Sequence, residues 1–333
     1  MEEYNSFEEK GIYFIFGDVR IDNDKDFNYY TDLLQVQYAQ KNFIFRGVSE
    51  AKFKMFNSAQ ILWEKNSSEE DYYDENKYDE LIIFLMDECK KWNFGSIPNY
   101  FKTYSISDKN AVAYLSLMRH YGIPTPLIDF TKNPNNALYF AVESISDKCR
   151  ESHYEIDNYF SIYYTYQTNM AYDSFQDVFN KNRENKKAGE FDYSDLTKNG
   201  IVLITDDIDE FKIVNNIRIA NQEGLFFYNN SPYLPIEEQY KGVADSLLER
   251  VGRQEFDRLL VHDTFAGCLN FHKKYASHIK KVLNNMQITK EFIYPELSDL
   301  AKHINKFFYK ESTVKPHDGF ISPSRKKNQR RKR

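Results

Sequence analysis

An α+β fold is predicted for this 333-residue chain, with short strands mixed irregularly among helices. Three observations carry that reading. About seven runs of strand length, apolar or aromatic, are scattered along the chain. The segments between them follow helical periods without the strict strand–helix alternation of a doubly wound sheet. No repeat and no Pro/Gly/Ser-rich linker divides the chain, so residues 1–312 read as one domain ahead of a basic tail at 313–333.

Taken in order, Ile12–Phe16 reads as a short strand and Asp18–Asp26 as an acidic loop. Asp32–Gln40 reads as a helix leading into NFIFRG at 42–47, where alternation places Ile44 and Arg46 on one face of a strand. Lys65–Asp79 is polar and charged, a surface loop. Leu81–Trp92 reads as a packed helix, and Phe94–Lys109, with Gly95 and Pro98, as an irregular connection. The run Val112, Leu115, Met118 keeps a 3.6-residue period. Gly122 and Pro124 then end that helix. Leu127–Phe130 reads as a buried strand, and Asn133-Pro134 as a helix start whose buried stripe is Ala137, Leu138, Ala141, Val142 and Ile145. Further strands are expected at Tyr159–Tyr166, Ile201–Thr205, Leu225–Tyr228 and Phe256–His262. Further helices are expected at Phe175–Phe179, Pro235–Val251, Ala266–Leu283 and Leu297–Tyr309, with a polar loop at Asn180–Lys198.

Charge and composition narrow the function classes. The net charge is −6, yet Arg325–Arg333 alone holds seven Lys and Arg and no acid, so the rest of the chain carries −13. An acidic body repels phosphate backbones, so the folded part is not expected to be a general nucleic-acid binder; the tail is the segment able to attract one. Aromatics at 17% fit either stacking surfaces or the codon bias of an A+T-rich genome. Three widely spaced cysteines and dispersed histidines indicate neither a disulfide framework nor a metal site. No signal segment or membrane-length apolar run is present, so a cytoplasmic protein without a membrane partner is expected.

The candidate residues cluster around the turn at 114–142. His120, at a helix C-terminus, is either a dipole-stabilised cap or an acid/base tuned by Asp129. Asp129 is either a turn cap or a buried, paired carboxylate, with Arg46 as the partner. Arg46, at the end of an apolar strand, suits an internal acid or a diphosphate.

FIFRG at 43–47 resembles the signature of the FRG domain, a module of bacteria and phages. H-Y-G-I-P-T-x-L-I-D-F-T at 120–131, followed by A-L-Y-F-A at 137–141, is similar to its second signature. R-I-A-N-Q-x-G-L-F at 218–226 and F-I-Y-P-E-L at 292–297 look like segments of longer members, so the resemblance spans roughly residues 30–305. The chain departs from the pattern at Arg119, where Gln is common, and at Pro126, where Arg is common; Arg119 is placed to supply the missing cation across the turn. The order of elements also resembles that of ADP-ribosyltransferases, which implies a two-sheet core and an NAD-using or NAD-hydrolysing effector of phage defence or toxicity. On that likeness Arg46 would grip the diphosphate of NAD, Tyr139 and Phe140 would wall the nicotinamide, and Glu223 or Gln222 would orient the ribose or acceptor. With His120 and Asp129 these make up the candidate site. The alternative is a nucleotide- or nucleic-acid-binding module without chemistry.

Overall fold

The computed structural model describes residues 2–147, 151–167, 191–197, 200–215, 217–258 and 263–295. The chain divides into two units, residues 1–293 and 294–333, and every element below lies in the first. The expected helices at 175–179 and 297–309, most of the loop at 180–198 and the basic tail lie outside the described residues.

The fold is α+β. Eight strands are described: β1 Phe14–Ile15, β2 Arg20–Ile21, β3 Phe43–Val48, β4 Leu127–Thr131, β5 Tyr159–Tyr166, β6 Ile201–Ile204, β7 Gly224–Asn229 and β8 Ala266–His272. They form one mixed sheet in the order β1-β8-β5-β3-β4-β7-β6, with β2 also on β8. One sheet therefore replaces the expected two, but its middle is weakly joined. β3 pairs with β5 from Phe43 to Val48, and β4 pairs with β7 from Leu127 to Thr131. β3 and β4 meet at the single pair Phe45↔Thr131, so the sheet is two fully laddered halves hinged at one point.

Alternation along the strands feeds two cores. Leu127, Val202, Ile204, Phe226 and Tyr228 pack on one face beneath α4 (Glu75–Thr103) and α5 (Ala111–His120). Ile44, Ile128, Phe130, Tyr163, Leu203 and Phe227 pack on the other, with α1 (Phe7–Gly11) and the helix Ile236–Val251. The first signature acquires a physical meaning here. α6 (Pro134–Val142) lies so close on β3 that a Cβ at Gly47 would fall 1.8 Å from the Ala137 carbonyl oxygen and 2.9 Å from the Ala141 nitrogen.

Several expectations are corrected. Ala266–His272 is a buried strand and only Ala276–Asn285 is helical, because Ala266, Gly267 and Cys268 lack the β-branched signal that marks strands. Arg253–Arg258 is a short helix, which removes the start of the expected strand at 256–262; residues 259–262 are not described. α2 spans Asp24–Ala39, starting well before Asp32 because Asn23 caps it by accepting from the Asp26 nitrogen. α3 spans Ser58–Asn66, so with α4 starting at Glu75 the expected loop at 65–79 shrinks to 67–74. α4 also absorbs most of 94–109, although Gly95 at φ +77 and Pro98 interrupt its regularity at the expected break.

Candidate functional site

Beside the Phe45↔Thr131 hinge stand Arg46 from the first signature and His120 and Asp129 from the second, with Arg119 just ahead of it. Asp129 is the one accessible residue of β4, its side chain 39% exposed between buried neighbours in the middle of the sheet. Arg119, from the last turn of α5, donates through Nε at 2.8 Å and through Nη2 to Asp129 Oδ2, and through Nη1 to Ser58 Oγ at 3.0 Å. Arg46 reaches across the gap from β3 and donates through Nη1 to the Asp129 carbonyl oxygen at 2.7 Å. The guanidinium thus satisfies a β4 acceptor on a strand that is otherwise detached from β3 here.

The partner expected for Asp129 is therefore corrected: Arg46 takes its carbonyl, and Arg119 holds its carboxylate. That is the exchange across the turn that the two departures from the FRG pattern suggested. Pro126, where the other cation would stand, is buried and its carbonyl accepts from the Asn229 nitrogen at 3.1 Å, extending the β4–β7 ladder. Ser58, missed in the sequence, is fixed by the loop before β4: its Oγ accepts from the Thr125 nitrogen at 3.0 Å. The capping box Asn57–Gln60 that starts α3 there was readable in NSAQ, but nothing local ties it to Arg119.

His120 stands beside this group, edge-on to Phe226, which pairs with Asp129 in the ladder. Its Nε2 is buried without a partner, and its carbonyl accepts from Arg218 at 2.7 Å. Burial pulls its pKa down to about 4, with Arg119 and Arg218 adding to the fall and Asp129 opposing it. Burial thus favours a neutral imidazole over the imidazolium that the cap reading needs. Burial alone would raise the Asp129 carboxyl, but the charge and hydrogen bonds of Arg119, with Arg46 and His120, hold it below the ordinary range. Burial lowers Arg46, against the pull of Asp129, and Arg119 is held up by Asp129 in spite of its own burial. Two guanidiniums against one carboxylate and a neutral imidazole leave a net charge of about +1, a setting for an anion.

The neutral His120 gives a prediction with a definite sign. The unfolded chain protonates this imidazole near pH 6.5 and the folded chain only near 4. Its contribution to stability is complete above pH 6.5 and fades as the pH falls toward 4. Denaturant midpoints measured across that window should fall on acidification, and His120→Phe should flatten the fall.

The structure does not bring the remaining candidates to this cluster. Glu223 lies beyond the other end of β4, where its carboxylate accepts from Asn133 at 2.8 Å and its carbonyl from the Lys132 nitrogen at 3.0 Å. Glu223 lies three residues from Phe226, the partner of Asp129, roughly 10 Å along a strand. Gln222 is buried and donates to the Ile293 carbonyl at 3.0 Å. Tyr139 and Phe140 lie on α6 with ring centroids 5.9 Å apart, Tyr139 bonding Glu143 at 3.2 Å, while Ala137 and Ala141 face Gly47.

Among the described residues no group of three or more His, Cys, Asp or Glu is placed to hold a metal ion, and no helix is long and apolar enough to cross a membrane. No curated protein and no solved structure is significantly similar to the chain. The family model of the FRG domain matches residues 41–150, which contain Arg46, Gly47, Arg119, His120 and Asp129. Residues 41–150 of this chain are an FRG domain.

Proposed function

We propose that the gap between β3 and β4 is a nucleotide site, with NAD as the candidate substrate and its cleavage or ADP-ribosyl transfer as the reaction. The observation that carries this reading is the charge arrangement. Arg119 holds the Asp129 carboxylate at the one accessible position of a central strand, and Arg46 bonds the Asp129 carbonyl across the gap. Arg46 and Arg119 would hold phosphate oxygens. Asp129, ionised and with Oδ1 bonded to no described residue, would face the positive charge that develops on the ribose as nicotinamide leaves. It takes the part that the ADP-ribosyltransferase likeness gave to Glu223 or Gln222, which bond Asn133 and the Ile293 carbonyl instead. His120, neutral, is poised to accept a proton from an attacking water or acceptor hydroxyl. Such an activity suits an effector of defence or toxicity.

A second reading has its own support. Asp129 is already held by two donors of Arg119, which lowers its value as a stabiliser of new positive charge and favours a binding module without turnover. One experiment separates the two. The purified protein is incubated with NAD and cell extract, and free nicotinamide is followed by chromatography. Release by the native chain, reduced at least about a hundredfold in Asp129→Asn, is the result expected of the enzyme. Saturable NAD binding with no nicotinamide released under any acceptor would leave the binding module.

A further inference from the structure

A cleft of about 590 Å³ lies between α4 and α5, on the side of α5 turned away from Asp129. Successive helical residues turn by about 100°, so Leu117, Met118 and Tyr121 share one side of the last turn while Arg119 leaves from the other to reach Asp129 and Ser58. Leu117 and Met118, both buried, line the cleft together with the buried Cys89 of α4. Leu85, Ile97 and Ile123, partly buried, complete its apolar wall. The rings of Trp92, Tyr100 and Tyr121 line it too and reach solvent. The interruption of α4 falls within this lining, with Gly95 at φ +77 and Pro98 on either side of Ile97.

That volume lies within the range of small-molecule sites, and the lining is of the same kind, mostly apolar with a few polar groups. Two of the rings are fixed before any ligand arrives. The Tyr100 hydroxyl donates to the Asn215 carbonyl at 2.7 Å, and the Arg218 guanidinium stands over the Tyr121 ring, 5.3 Å from its centroid, while donating to the His120 carbonyl. Walls held in place lower the ordering cost of binding. Charge decides between the apolar ligands that would fit. Glu88 is the one charged residue among those described in the lining, and its carboxylate already accepts from Lys91 Nζ at 3.0 Å. A fatty acid would bring its carboxylate to a cleft with no lysine or arginine in that lining, and its saturated chain would gain nothing from ring–ring attraction. We propose that the cleft binds an uncharged, flat aromatic molecule of two or three rings, packed among Trp92, Tyr100 and Tyr121 against Leu117 and Met118. The site is separate from the β3–β4 gap and does not depend on the nucleotide reading.

N-phenylnaphthylamine is the probe, because it is uncharged and its fluorescence rises when it leaves water. Titrated into the full chain, it should show saturable enhancement. Ile97→Trp puts a larger side chain into the cleft and should weaken binding at least about tenfold. Its denaturant midpoint shows whether the variant is folded; if it is not, Trp92→Ala, at an exposed position, decides in its place. Loss of one aromatic wall there should weaken binding about three- to tenfold. Naphthol should displace the probe at lower concentration than laurate, a single-chain fatty acid. No saturable binding by the native chain, or native affinity in the deciding variant, would overturn the proposal. Displacement by laurate at or below the naphthol concentration would overturn the choice of an aromatic ligand.

Discussion

Gly47→Ala is expected to destabilise the protein by about 3 kcal/mol or more and to leave little soluble chain, because the clash cannot be relieved by a side chain moving. The three atoms nearest the new Cβ are all backbone of α6: the Ala137 oxygen at 1.8 Å, the Ala137 carbon at 2.8 Å and the Ala141 nitrogen at 2.9 Å. Relief requires lifting α6 from the sheet, which also disturbs Asn133 and the end of β4. Gly122→Ala is the natural comparison. Gly122 sits at φ +77, where alanine is strained, yet a Cβ there meets nothing within 4 Å. Its cost should stay near 1–2 kcal/mol. Denaturant unfolding of both variants, with expression in the soluble fraction, checks the ranking; equal costs would show that close approach is not what selects glycine at 47.

Arg119→Ala is expected to be the most damaging change among the charged residues. It strips the Asp129 carboxylate of its donors and removes the bond to Ser58 that ties α5 to the start of α3. Breaking a sealed ion pair from one side costs about 3–5 kcal/mol; with Asp129 39% exposed, water recovers part of that, and about 2–3 kcal/mol is expected. The Asp129 carboxyl should rise from its lowered value, since burial would then act with only Arg46 and His120 opposing it. Stability that was present above the carboxylate range would accordingly be lost at a higher pH than in the native chain. Arg119→Ala/Asp129→Ala should be less destabilised than the sum of its parts. Thermal unfolding of the four proteins tests this, and additive losses would dismiss the pair as a structural unit.

These two positions also mark how far the sequence could be read. The turn around Gly122 was legible because its signals are local. The Ile123 nitrogen bonds the Met118 carbonyl at 3.0 Å and closes the helix where glycine and proline said it must end. Asn133 caps α6 as its dipeptide with Pro134 indicated. The charge exchange between Arg119 and Pro126 was legible only against the family pattern, which made two departures look like one. Partners distant in sequence were not legible. Nothing in FIFRG shows that Arg46 meets a carbonyl rather than the carboxylate of Asp129, because that depends on how far β3 and β4 part beyond Phe45. The strand at 266–272 was hidden by small residues, which its crowded position requires: a Cβ at Gly267 would fall 2.3 Å from the Tyr164 ring.

The central claim is that the β3–β4 gap binds the phosphates of a nucleotide through Arg46. Titration calorimetry of ADP-ribose into the native chain and into Arg46→Gln, at low and at physiological salt, tests it most directly. The claim predicts saturable binding to the native chain, weaker at higher salt, and at least about tenfold weaker in Arg46→Gln with the fold intact. Equal affinity in the two proteins, or no binding by the native chain, would contradict it.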